Sequence, residues 1–231
     1  AIQRFSERGD IIPVNALHRL SASPLNLSNS EWGIEVFKVV ANLPRSLPGE
    51  SVKMVVFGNT TLGNNNLKDV QSFYFFSDLG RIFCDKVPFD GLMITMPDGT
   101  GVSLIMNGSE LVLMGDASLR AVQNGAMDVS LYSGTASITA NNQTQNLNAG
   151  QSVSVPLGGA NGTDSIGAPS QPTSLSVQDV NLACTLAGIF CPSTTSNPTV
   201  DPQNTQATLN SLDNNTPLPT VPAPNIEPAT P

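Results

Sequence analysis

The residues of this sequence that could do chemistry are few and widely spaced. Its one histidine, His18, stands in "NALHRL". Nucleophilic catalysis by Ser, Thr or Cys needs a neighbouring base, most often a histidine. No Gly-x-Ser-x-Gly accompanies His18, so a triad is not expected there. Two carboxylates can hydrolyse glycosides, and Asp78, Asp85, Asp90, Asp98 and Asp116 are available. Each of them sits in or beside a turn sequence, where Asp is favoured for backbone reasons alone. The three cysteines are Cys84, Cys184 and Cys191. A structural metal site needs more soft ligands than that. The pair in "CTLAGIFC" encloses six residues, so a Cys184–Cys191 disulfide with Cys84 left over is the expected state. Cys84 bonded to one of that pair, or to another chain, is the alternative. No Asp-x-Asp-x-Asp-Gly calcium loop and no dinucleotide fingerprint occurs, and "GNTTLGNNN" lacks the lysine of a phosphate loop. The residues predict no catalytic centre, no cofactor and no metal.

Two further residue classes carry possible binding or modification. Trp32 is the single Trp, and Phe73–Phe76 ("FYFF") is the aromatic cluster. Large aromatics dominate core burial, so both read as core, with a sugar-binding platform as the minority reading. Asn-x-Ser/Thr sequons stand at Asn26, Asn59, Asn107, Asn142, Asn161 and Asn214. They are glycosylation sites only in a host with the machinery, and several coincide with turns.

Charge narrows the partners. The 231-residue chain has 10 Lys+Arg against 18 Asp+Glu, a formal net charge of −8, and no Lys or Arg follows Arg120. Nucleic-acid affinity rests on Lys and Arg neutralising phosphates, so neither DNA nor RNA is an expected partner. The same argument speaks against anionic lipid, and no run of about 20 apolar residues predicts membrane insertion. A start at Ala1 suits a mature secreted chain, or equally an expressed or cleaved fragment.

The elements follow from periodicity. Residues 1–49 form a mixed segment. In it, "EWGIEVFKVVANL" reads as a strand that sets Ile34, Val36 and Val39–Val40 against Glu35 and Lys38. Residues 50–157 are a run of short strands separated by turn chemistry: "VKMVVF", "QSFYFF", "GLMITM", "VSLIM", "ELVLM", "SLRAV" and "MDVSLY". "GNTTLGNNN" reads as loop, and "MPDG" as a type I turn with Pro second and Gly fourth. Asn-Gly in "NGS" and "QNGA" marks hairpins. Val129 and Leu131 share a face, as do Ala136, Ile138 and Ala140, and again Val153, Val155 and Leu157, with Ser facing away. Residues 158–192 form a linker with one short helix, "LSVQDVNLACTLAGIF", and the cysteine pair. Residues 193–231 are rich in Pro, Thr and Asn, an extended low-complexity tail. The pattern predicts an all-β chain, an antiparallel sandwich or barrel-like fold.

The stretch from "GSELVLMGDASLRAVQNGAMDVSLYSGTASI" to "LNAGQSVSVPL" resembles a FecR-type extracytoplasmic β domain. The matching residues are Val129 to Ile138, a "V-x-V-x-x-G-x-A-x-V/I" element, and Leu147 to Val155, an "L-x-A-G-Q-x-V-x-V" closing strand. Over roughly Trp32 to Cys191 the chain is similar to large secreted proteins of filamentous Chloroflexota-like bacteria that carry this domain. The resemblance implies an envelope or extracellular location and a jelly-roll-like or β-helix-like core. Typical FecR proteins relay a signal from an outer-membrane receptor to a sigma factor through one transmembrane helix, which this sequence does not display.

Charge-poor strands, no catalytic set and a coreless tail together lead to the functional expectation. It is a non-enzymatic, secreted structural or interaction protein of the bacterial cell surface. It would be a subunit of a filament, sheath or similar assembly, self-associating through edge strands or tail. A FecR-type signal-sensing or ligand-binding module is the alternative, and a carbohydrate-binding protein the second.

Overall fold

The computed structural model describes residues 9–176, apart from 14–15, 27, 30, 41–50, 64–71 and 78–89. Cys84, Cys184, Cys191, Asp78, Asp85, Asn214, the expected helix beyond Ser176 and the tail all lie outside the described residues. What is described is all-β, with thirteen strands and no α-helix.

Two long strands organise it. β8 (Ser109–Ala121) and β9 (Ala126–Ala140) pair along their whole length as a hairpin. Midway along the hairpin, Gly115 (φ +144°) faces Gly134 (φ +74°), and the register slips between Asp116 and Ala117. A Cβ at Gly134 would collide with the Met114 carbonyl oxygen, and one at Gly115 with that of Ser133. Only glycine fits a corner so close. Gly134 therefore bends a continuous strand, and "ELVLM" and "SLRAV" are two halves of one strand.

The bend divides the hydrogen-bonded network into two leaves. The first half of β8 pairs β7 (Val102–Met106), and the second half of β9 pairs β10 (Gln143–Asn148). β7 continues through β5 (Ser72–Ser77) and β4 (Thr60–Gly63) to β1 (Arg19–Ser21). That is the first leaf. In the second, the other half of β8 pairs β6 (Gly91–Thr95), followed by β3 (Ser51–Phe57) and the edge strand β2 (Ile34–Val40). The first half of β9 pairs β11 (Gln151–Gly158), which also holds the short β12 (Asp164–Ser165) and β13 (Thr173–Ser174). Strands from residues 1–49 thus share a core with those from 50–157.

Alternation gives each leaf one apolar face, and both faces feed a single core. From the first leaf come Phe73, Phe75, Leu104, Leu111 and Ile138; from the second, Met54, Ile94, Leu119, Val129 and Val155. The rows read from the sequence at 129–131, 136–140 and 153–157 all point inward. Three details differ from expectation. β5 and β7 run parallel, because the intervening β6 lies in the other leaf, so the sheet is mixed and not wholly antiparallel. Thr60–Gly63, expected as loop, is β4, held between β1 and β5. The turn after β6 falls one residue later than expected: Thr100 N–H donates to Pro97 O (3.2 Å), with Gly99 third at φ +72°.

Asn107 locks the parallel pair. With Gly108 it makes the β7–β8 turn, both at positive φ (50° and 75°), as a type I′ hairpin requires. Its backbone N–H donates to Phe73 O (3.2 Å). Its side chain accepts from Phe75 N–H and donates to Phe75 O, each at 2.8 Å. The amide extends the β5–β7 ladder one step past the end of β7.

Candidate functional site

β2 is where the second leaf meets solvent, and its parity is set by β3. Phe37 pairs with Met54 and Val39 with Val52, so Phe37 and Val39 turn to the core. Ile34 and Val36, expected on the buried side, point outward and are 45% and 60% exposed. Lys38 lies beyond them on the same face, exposed. Among the described residues no strand pairs the other side of β2. An edge strand with outward apolar residues is a surface suited to a protein partner.

The row continues inward across the leaf. Val36 is level with Val55, Val55 with Met93, and Met93 with Ser118. Val55, Phe57, Met93 and Tyr132 form a second, smaller apolar cluster on this outer face, with Trp32 and Leu175 packed on it. Trp32 meets Phe57 edge-on, ring centroids 6.2 Å apart, and Ser118 shares a 2.7 Å hydrogen bond with the Tyr132 hydroxyl. Tyr132 reaches this face because the bulge inserts it between Leu131 and Ser133. Beside the cluster runs a polar row, Lys38–Lys53–Thr95–Asp116. At its end the Ser133 hydroxyl donates to Asp116 Oδ2 (2.6 Å) and accepts from Asp116 N–H (3.1 Å). Trp32 Nε1, Thr95 Oγ1 and Asp116 Oδ1 are buried without a hydrogen-bond partner. The outer face therefore combines an apolar centre with a donor, a hydroxyl and a carboxylate oxygen around it.

Among the described residues, those singled out for chemistry do not converge. His18 is exposed just before β1, Asp98 lies in the turn after β6, Asp90 is buried at the start of β6, and Asp116 is at the corner. Among the described residues no three His, Cys, Asp or Glu stand close enough to hold a metal. Trp32 is half-buried against Phe57, and Phe73 and Phe75 are core. Tyr74, on the opposite side of β5, hydrogen-bonds Asp164; burial first, then that bond and the nearby charge, raise its pKa above 10.0.

The sequons are spread across loops. Asn26 accepts from Ser28 and Asn29 N–H, Asn142 and Asn161 are exposed, and Asn59 is half-buried. Asn107 is fully buried with its amide engaged, so the folded chain closes that position to a glycan.

The β2 strip was missed by counting one apolar face. The signal was present: "IEVFKVV" is apolar at both parities, which a strand with one face in water does not need.

No family model and no curated protein matches the chain. Its fold is similar to two crystal structures. Both are of a "putative anti-sigma factor" from Parabacteroides distasonis ATCC 8503, at 2.50 Å and 1.65 Å resolution, with 12% sequence identity and a TM-score of 0.42. The matches cover 71% of this chain and 62% and 63% of theirs, so it spans less than two thirds of their length. The expectation of a filament or sheath subunit is corrected here. The two neighbours are named as anti-sigma factors, and neither is a filament component. Among the described residues no helix is long and apolar enough to cross a membrane.

Proposed function

We propose that this chain is a non-catalytic FecR-type sensing module of the bacterial envelope, working outside the cytoplasm and recognising a protein partner through β2. The observation that carries the reading is an outward, exposed Ile34–Val36–Lys38 strip on an edge strand. The FecR-like residues Val129–Ile138 and Leu147–Val155 supply the family context: they lie in β9, one arm of the bent hairpin, and in the end of β10 with the closing strand β11. The anti-sigma name of the structural neighbours agrees with it. A sensor needs a surface whose occupancy changes, and apolar residues on an open edge supply one.

The test is genetic. Deleting the coding sequence in the source bacterium should change transcripts at a small set of promoters served by one alternative sigma factor. Wild-type protein should restore them, and Val36→Asp should not. At a site this exposed, that substitution leaves stability within about 0.5 kcal/mol. An unchanged transcript profile on deletion sinks the proposal.

A further inference from the structure

The chain has six methionines. Five of them, Met54, Met93, Met96, Met106 and Met127, are at most 6% exposed, whereas Met114 is 45% exposed. Strand parity sets it apart. In the first half of β8, Leu111 and Leu113 turn to the core, so Glu110, Val112 and Met114 face out. There Val112 is level with Ser103 of β7, Ile105 with Glu110, and Met114 with Thr135 of β9. Ile105, Val112 and Met114 thus form an exposed apolar strip on the outer face of the first leaf. The Met114 thioether is seated on that face. Gly101, just before β7, lies outside the left-handed region, so its backbone conformation does not call for glycine. Space does: a Cβ there would stand 2.9 Å from Met114 Cγ and 3.8 Å from its Sδ. Met114 therefore lies along a bare stretch of backbone at the sheet surface.

We propose that Met114 is an oxidation site of the folded chain, taking one oxygen atom from a peroxide while the five core methionines stay reduced. The thioether sulfur attacks one oxygen of hydrogen peroxide and the O–O bond breaks. The second oxygen leaves as water with both protons, and two electrons pass from sulfur to peroxide. The product is methionine sulfoxide, a polar group that methionine sulfoxide reductases return to the thioether. Selectivity comes from the fold: a small oxidant reaches Met114 from solvent, but reaches the other five only when the core opens. The consequence is local. The sulfoxide places a hydrogen-bond acceptor on the Ile105–Val112–Met114 strip and removes its apolar end next to the β8–β9 corner, without entering the core. The strip belongs to the first leaf and β2 to the second, so the inference stands whether or not the sensing role does.

The test is timed exposure of the full chain to hydrogen peroxide, read by peptide mass spectrometry. Met114 should gain one oxygen at least about tenfold faster than each of the other five methionines. The singly oxidised protein should keep the far-UV circular dichroism of the untreated chain. In urea all six should react at similar rates, which assigns the selectivity to the fold. Met114→Leu keeps the strip apolar and should abolish the fast phase. Gly101→Ala pushes the thioether outward and should speed oxidation at Met114 by about twofold or more. Comparable rates at Met114 and any core methionine in the folded chain overturn the proposal. So does a fast phase that survives Met114→Leu, or loss of the β signal in step with the first oxygen. A Gly101→Ala variant that folds but oxidises no faster removes the seat from the account.

Discussion

Asn107 occupies a position where one amide does the work of a strand residue. Its side chain satisfies both Phe75 N–H and Phe75 O, deep in the protein. A carboxylate in its place keeps the size and loses the donor. Asn107→Asp is expected to cost about 2–3 kcal/mol, because Phe75 O is left unsatisfied and a charge is buried. A lower urea midpoint with unchanged slope would register it; an unchanged midpoint would mean the clasp adds nothing. Tyr74 gives a pH signature. Its pKa is raised in the fold, so its neutral hydroxyl contributes stability that is fully present below pH 10.0 and lost as pH rises through the folded value. Urea midpoints compared at pH 8 and above pH 10 should fall more steeply for wild type than for Tyr74→Phe. Parallel declines would remove Tyr74 from the account.

At the scale of elements, the β8–β9 corner decides the architecture. Gly134 at φ +74° faces a carbonyl oxygen that leaves no room for a methyl group. Gly134→Ala adds both steric overlap and left-handed strain, and should destabilise by about 3 kcal/mol. Calorimetry would show it as a lower Tm, with Gly99→Ala, in open space within a turn, as the comparison for positive φ alone. Equal losses at the two positions would argue against the corner as a packing constraint. Most elements were legible: "VKMVVF", "GLMIT" and "VSLIM" are strands, and the rows at 129–131, 136–140 and 153–157 face inward as their periodicity implied. β4 was not, because "TTLG" has little apolar content and becomes a strand only between β1 and β5. The outward turn of Ile34 and Val36 was not either, since β2 alone offers two apolar parities and β3 selects between them.

For the whole molecule, the shared hairpin makes the two leaves interdependent. Each long strand contributes to both, and one core lies between them. Unfolding should therefore be a single transition. Trp32 fluorescence reports the outer face of the second leaf and far-UV circular dichroism both leaves, so their urea curves should coincide. Two separated transitions would show leaves that fold independently.

By itself the sequence determined the chemical character of this protein: all-β, poor in charge, and without Lys or Arg after Arg120. Those are properties of residue types and of period-two alternation, which each segment carries locally. The candidate surface belongs to a different level. The corner at Gly134 and the parallel β5–β7 pair arise from contacts between residues far apart in the chain. The same is true of the bulge that lifts Tyr132 outward and of the parity that exposes Val36. Only the tertiary structure decided them, because no local pattern records which partner a strand will meet.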